Sequence, residues 1–302
     1  MHSAVEIREA DPSSYHPLVE LQLERIPKLP REVAEFPFLH AEDLEFLHLR
    51  SAHVDGKLVG WGAALRPPPF PPDLGIVSVT VRREHERRGY GGALFDTMVE
   101  LLPDRITTVG TSVSDDDPES RAIAEAHGFV LRQHGIASEL RLADLPEPLV
   151  VPGVTYEDAT DLAFPDEDAV EAMLVDSQTN PEATEQGILS TLEIERSLLA
   201  GCVDPLAVLA RVDGQPAAII TGEVKNGVLM IFYTGVGRAF RGRDLAFSLK
   251  QYAHLLAAGR GATVSQTMNE ERNVGIRRVN ERLGYRITGG EWRLSRPRDL
   301  PA

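Results

Sequence analysis

Two stretches of the 302-residue chain set arginine and glycine just ahead of an apolar helical run: Arg87 to Leu94, RRGYGGAL, and Arg241 to Lys250, RGRDLAFSLK. A basic, glycine-containing turn that opens a helix is an anion site. The first N–H groups of a helix lack partners within it, the helix dipole favours negative charge there, and glycine lets the backbone approach a phosphate closely. No GxxxxGK[ST] loop occurs and no GxGxxG opens either unit, so this is neither a nucleotide-triphosphate loop nor a dinucleotide fingerprint. The second stretch carries Asp244 where the first has Gly89. An acid in a first helical turn gains from the dipole, and Arg241 and Arg243 outnumber it. A helical backbone at Asp244 therefore predicts a weakened but working loop.

The elements that position these loops recur. His53 to Gly60 (HVDGKLVG) resembles Arg211 to Ala218 (RVDGQPAA), 158 residues on; Val81 onward resembles Val236 onward at 155; Glu125 to Leu131 (EAHGFVL) resembles Glu281 to Ile287 (ERLGYRI) at 156. Three matches in one order mark a duplication. Each half reads as a short strand, a polar helical region, a hairpin turning at Asp-Gly, a β-rich run into the basic loop, an apolar-faced helix, a strand, a helix ended by glycine and a closing strand. On the first such helix, Leu94, Met98, Leu101 and Leu102 share a face; on the second, Leu245, Leu249, Tyr252, Leu255 and Leu256 do. The proline-rich Leu142 to Gly153 suggests domains at 1–148 and 149–302. The predicted class is α/β with a mixed sheet.

Composition is that of a globular protein, 42% hydrophobic and 25% charged. No apolar run reaches the roughly 18 residues that span a bilayer, and the start, MHSAVEIREAD, lacks the basic-then-apolar plan of an export signal. A net charge of −15 opposes general nucleic-acid binding and is compatible with a cationic acceptor. The single cysteine, Cys202, cannot form an internal disulfide, which suits the cytoplasm, and reads as a small packing residue. His53 and His127 have no nucleophile to pair with and read as structural. The expected protein is a monomer or homodimer that meets neither membrane nor nucleic acid.

The residues resemble, in both halves, the GNAT superfamily of acetyl-CoA-dependent N-acetyltransferases, whose motif is Q/R-x-x-G-x-G/A followed by a later helix of the form N-x(6)-Y/N-x-x-x-G-F/Y. The likeness covers nearly the whole chain and is fullest from Thr234 to Tyr285. It implies two tandem GNAT folds, each a twisted, mostly antiparallel sheet flanked by helices, with acetyl-CoA as cofactor. The pyrophosphate is expected on Arg241, Gly242, Arg243, Asp244, Leu245 and Ala246, or on Arg87, Arg88, Gly89, Tyr90, Gly91 and Gly92. The pantetheine arm is expected along Tyr233, Thr234, Gly235 and Val236, or near Val79 and Val81, with Asn269 and Asn273 nearby. A small-molecule amine would attack the thioester directly; peptide acetylation and a non-catalytic acyl-CoA binder are the alternatives.

Each half departs from the pattern. Glu86 replaces the opening Q/R, Asp117 the expected Asn and Ala124 the expected Tyr; in the second half Asp244 replaces glycine and Asn280 replaces Tyr. The Glu that related tandem enzymes carry on the strand before the loop is missing, because the corresponding positions are Gly75 and Met230. Glu223 is then the expected base, through water, Tyr233 the acid, and Asn280 a hydrogen-bonding group that cannot itself be an acid. The second half is expected to be catalytic, and the acceptor to lie over Pro30 to Phe46 or over Thr179 to Glu195, both acidic.

Overall fold

The computed structural model describes residues 5–299 apart from 28, 30, 40, 68–69 and 187–188. The chain forms two compact units. The first comprises Met1–Val113, Asp117–Arg132 and Trp292–Ala302. It runs β1 (Glu6–Glu9), α1 (His16–Arg25), α2 (Arg31–Leu39), β2 (Phe46–Val54), β3 (Lys57–Arg66), β4 (Leu74–Val81), α3 (Tyr90–Glu100), β5 (Thr108–Ser114), α4 (Pro118–Ala126) and the start of β6 (Val130–Arg141). The second comprises Ser114–Asp116 and Gln133–Glu291. It takes the rest of β6 and continues through β7 (Val154–Asp158), α5 (Glu167–Ser177), α6 (Pro181–Gln186), α7 (Leu192–Ala200), β8 (Pro205–Val212), β9 (Gln215–Lys225), β10 (Val228–Val236), α8 (Leu245–Gly259), β11 (Val264–Glu270), α9 (Val274–Leu283) and the start of β12 (Arg286–Pro297), whose end belongs to the first unit.

Strand order in the first unit is β1-β2-β3-β4-β5 with the end of β12 beside β5; in the second it is β7-β8-β9-β10-β11 with β6 beside β11. The halves of the chain thus exchange closing strands. The proline-rich stretch follows β6 and does not mark a change of core. β4–β5 and β10–β11 are parallel pairs, whereas the hairpin-linked strands are antiparallel.

Period-two alternation in β8 sends Leu206 and Val208 to one face, Ala207 and Leu209 to the other. On the first face Leu245, Leu249, Ala253 and Ala257 of α8 close the core with Ile220, Leu229 and Ile231. On the second, Val170 and Leu174 of α5 and Leu192 and Leu199 of α7 pack on Ile219. Leu255, expected on the apolar stripe of α8, is instead exposed. In the first unit Leu18, Val19 and Leu21 of α1 meet Leu49 and Trp61, while Met98 and Leu102 meet Val77, Ile106 and Phe129. No helix of the described residues is long and apolar enough to cross a membrane.

The duplication is visible in backbone irregularities as well as in side chains. Asp55-Gly56 and Asp213-Gly214 both turn at positive φ, as a tight hairpin with the twist of its strands requires. The register shifts at Ala52/His53 and again at Ala210/Arg211. Asp117 and Asn273 both cap the last helix of their half, accepting from the Ser120 and Ile276 N–H groups. One feature is not repeated. β3–β4 stays in unbroken register from Gly60↔Val81 to Leu65↔Ile76, but β9–β10 shifts between Ile231 and Tyr233.

Gly222, opposite Ile231, keeps the strands close beside that bulge: a Cβ there would lie 2.4 Å from the Met230 carbonyl oxygen and 3.3 Å from the Ile231 Cα. Both atoms are backbone, so the clash cannot be relieved by a rotamer change. Gly222→Ala is expected to destabilise by about 1–3 kcal/mol, read as a lower urea midpoint; an unchanged midpoint would show that the bulge is not held by this contact.

Candidate active site

The sheet opens between β10 and β11 at the bulge of Phe232, as it does without a bulge between β4 and β5 beyond Ile76↔Gly110. β10 pairs with β11 from Val228↔Val264 to Ile231↔Thr267 and then stops, leaving Phe232 to Val236 on one arm and Met268 to Glu270 on the other. The chain leaves the first arm and enters α8 through a turn with positive φ at two alternate residues, +74° at Gly242 and +58° at Asp244. The first unit's loop follows the same path, with φ +58° at Arg87 and +84° at Gly89. Each loop therefore has glycine at one of its two positive-φ positions and a strained L-residue at the other. This corrects the expectation of a helical Asp244: its backbone is left-handed, which costs a non-glycine residue roughly 1 kcal/mol, and its side chain makes no cap. Its carboxylate instead meets Arg282 at 2.5 Å, both groups half exposed.

Several candidate groups are already engaged. Arg241 folds back, its Nε donating to the Val236 carbonyl and its Nη2 to that of Ser177, at 3.2 and 2.9 Å. Arg243 lies over the Phe240 ring. Leu245, like Tyr90 at the matching position of the first loop, is a core residue. Gly235 is required by its neighbours, since a Cβ there would meet the Ser177 hydroxyl and the Tyr233 ring within 2.6 Å. Glu223 stands on β9 opposite Met230, before the bulge, and its Oε1 accepts from the Val203 N–H at 2.8 Å.

In the first unit the cradle is crossed by its own side chains. Arg25 of α1 reaches Glu86 at 3.0 Å and Asp117 at 3.1 Å, the two acids that replace the residues expected beside an anion. Arg87 pairs with Glu119, and Arg88 donates to the Glu84 carbonyl. Val79 and Val81 pack in its apolar core.

The arms of the second-unit opening carry different chemistry on the two faces of the sheet. On the α5/α7 face, Tyr233 lies opposite Thr221 in the ladder. The Ser177 hydroxyl donates to the Leu174 carbonyl at 2.6 Å, so the Tyr233 hydroxyl, 2.6 Å away, is the donor to Ser177. Burial raises the Tyr233 phenol to about 12. Giving its proton to an ordinary thiolate of pKa about 8.5 would be uphill by roughly 5 kcal/mol, so Tyr233 is a poor acid. Beside it Glu195 of α7 is almost wholly buried, accepting from Thr221 Oγ1 at 2.5 Å and from the Ser190 hydroxyl, with no cation in contact among the described residues. Burial raises its carboxyl, and the two hydroxyls partly offset this. Glu195 falls within the segment expected to cover the acceptor, but nothing in its spacing marked it out.

On the α8/α9 face the buried group is a lysine. Lys250 of α8 is fully buried, donates to Asn280 Oδ1 at 2.8 Å and stands 5.0 Å over the Tyr285 ring. Asn280 Nδ2 in turn donates to Asn269 Oδ1 at 2.7 Å. His254, one turn on, meets the Tyr285 hydroxyl, which also meets Ser265. Burial pulls Lys250 down to about 7, and burial with the Lys250 charge pulls His254 to about 3. Asn269 and Asn280 line a cavity of about 540 Å³ with Ser138, Arg277 and Arg278.

The residues present fit a coenzyme A group. The loop and the α8 N-terminus supply a backbone anion cradle, and the buried Thr234 Oγ1 on the β10 arm lacks a partner among the described residues. Cys202 is no competing nucleophile: it is half-buried, and burial first of all pushes its thiol to about 11.

Lys250 sets a stability signature. A lysine lowered to about 7 when folded binds fewer protons than the unfolded chain between that pH and about 10.5, so stability rises with pH through this window and is least below pH 7. Lys250→Met removes the penalty of the buried charge and is expected to raise the melting temperature at pH 6–7 by about 5 °C or more, with a smaller gain at pH 9. A melting temperature lowered at every pH would show that the amine is better accommodated than its surroundings indicate.

Residues 7–129 match the family model described as "Acetyltransferase (GNAT) family". No curated protein matches the chain. Among solved structures, the chain is similar to a tandem GNAT protein from the clavulanic acid biosynthesis pathway, solved without acetyl-CoA, at 19% identity and TM-score 0.74 over 99% of this chain and 100% of that one. A GCN5-related N-acetyltransferase from Sphaerobacter thermophilus is similar at 19% identity and TM-score 0.75 over 99% and 96%. A glucosamine N-acetyltransferase region of a fungal multi-domain β-N-acetylglucosaminidase is similar at 15% and 0.74, over 98% of this chain and 38% of that one. Identities this low speak for the fold alone. The match to the GNAT acetyltransferase family lies in residues 7–129, and over its whole length the chain has the fold of tandem GNAT proteins.

Proposed function

We propose that the protein is an acetyl-CoA-dependent N-acetyltransferase acting on a small-molecule amine, with its reaction centre in the second unit. The observation that carries the reading is the opening between β10 and β11, directly before an anion-cradling helix N-terminus and flanked by a buried carboxylate with no cation in contact among the described residues. The first unit's Arg25–Glu86–Asp117 pairing, which crosses its cradle, favours one cofactor site per chain. Coenzyme A supplies an activated acetyl thioester. Overall, a C–N bond forms, the C–S bond breaks, and one proton leaves the amine.

The chain's own part is positioning and proton transfer. Glu195 takes the amine proton through the half-exposed Ser190 hydroxyl; a carboxyl raised by burial is a stronger base than an ordinary one. Tyr233 fixes the β10 arm through Ser177 and stays protonated. The acidic segment Thr179 to Glu195 and the net charge of −15 suit a cationic amine.

Calorimetry is expected to give one acetyl-CoA per chain. Asp244→Gly, which relieves the left-handed strain and removes a carboxylate from the cradle, should tighten it several-fold; an unchanged dissociation constant would move the cofactor to the first unit. With thiol release from acetyl-CoA measured across primary amines, Glu195→Gln should lower kcat by about 10²-fold or more at unchanged acetyl-CoA affinity. Tight binding with silence on every amine would favour the non-catalytic acyl-CoA binder.

A further inference from the structure

On the α8/α9 face of the opening Asn280 stands where the resemblance led one to expect Tyr. Behind Asn280 lies a charge that, among the described residues, meets no carboxylate. The Lys250 ammonium makes one hydrogen bond, to the Asn280 amide oxygen, and its other close neighbour is the Tyr285 ring. The titratable groups around it are His254 on α8 and Tyr285 ahead of β12; the strands packed on α8 present Leu206, Val208, Ile220 and Leu229. His254 is lowered to about 3 and burial raises Tyr285, so both are neutral at pH 7 and neither is a counter-ion.

The lysine also fixes the sense of the amide chain. A lysine can only donate here, so Asn280 presents its oxygen to Nζ and its N–H group to Asn269. Asn269 accepts with its oxygen, and its own Nδ2 is turned away from that bond. Asn269 stands on the β11 arm, two residues beyond the last β10–β11 pair, and lines the cavity.

We propose that Lys250 is a positioning residue whose buried charge, relayed by the Asn280 and Asn269 amides, stabilises the coenzyme A thiolate in the opening. The inference rests on the transferase reading and adds to it the source of leaving-group stabilisation. When the C–S bond breaks, the electron pair stays on sulfur. A polarised N–H donor backed by a cation in a low-dielectric site favours that anion without transferring a proton through an amide. Lys250, lowered to about 7, keeps much of this charge near neutral pH and loses it as pH rises, so stabilisation of the thiolate should weaken on the alkaline side.

The test needs no acceptor. Coenzyme A itself is bound to the full-length protein, and its thiol is titrated by the ultraviolet absorbance of the thiolate, with binding checked by calorimetry. The wild type is expected to hold the bound thiol at least about one unit below the 8.5 or so of a free thiol. Lys250→Met and Asn269→Ala should each return it to the free value while still binding coenzyme A; circular dichroism reports whether each is folded, and the rim substitution Asn269→Ala tests the chain without touching the buried lysine. A bound thiol with the same pKa in all three proteins, or one not lowered in the wild type, overturns the inference and leaves the transferase reading standing. Absence of coenzyme A binding by the wild type overturns both.

Discussion

One inserted residue, Phe232, sets what the second unit presents to a ligand. Simple alternation would send Ile231 and Tyr233 to the same face of β10. The extra residue lets Ile231 pack under α8 while Tyr233 turns to α5 and meets Ser177. The same irregularity coincides with the end of pairing to β11, so backbone groups of Phe232 to Val236 no longer have a neighbour on that side. An extended ligand arm could complete the ladder there. The orientation of Tyr233 thus descends from one backbone event, whereas the parting of the strands recurs in the first unit, where β4 leaves β5 after Ile76↔Gly110 without a bulge.

The first unit shows what the plan looks like without it. Its loop follows the same alternating path, and it even keeps glycine at the helix N-cap where the second unit has Asp244. Yet β4 runs in regular register, and the arginine of α1 is held by the two acids flanking the cradle. A half-buried guanidinium bridging two carboxylates is a satisfied arrangement, and an entering pyrophosphate would have to displace it against two like charges. The motif that looked better preserved as a string is therefore the less available one in space.

What the sequence disclosed, and what it withheld, follows from range. Glycine turns, helix faces and the order of elements are local, and the repeat doubled every local signal, so the two-part plan, the loops and the helix-ending glycines Gly128 and Gly284 were legible. The exchange of closing strands was not, because β6 and β12 carry no mark of which sheet they will join. The left-handed backbone of Asp244 escaped for a subtler reason. Glycine occurs at Gly242 and Gly89, at alternate ends of the same path, so comparing the strings suggested a substitution at one position, where the backbone in fact has two strained positions and divides its single glycine differently. Glu195 and Lys250 are ordinary helix residues until the neighbouring elements bury them.

Those two groups bear on why the second unit tolerates poor local energetics. A buried carboxyl and a buried amine would attract strongly if they met, and a direct ion pair would lessen the desolvation of each. The sheet keeps them on opposite faces, Glu195 with two hydroxyls under α7 and Lys250 with one amide under α9. Each is therefore held away from its ordinary pKa, the acid raised and the amine lowered, and each is closer to neutrality as a result. That is wasteful for folding and useful for a reaction that removes a proton on one side of a cleft and creates an anion on the other. Uncompensated groups that persist on both sides of one opening are better explained by such a division of labour than by packing, because packing alone would have been served by a leucine at either place.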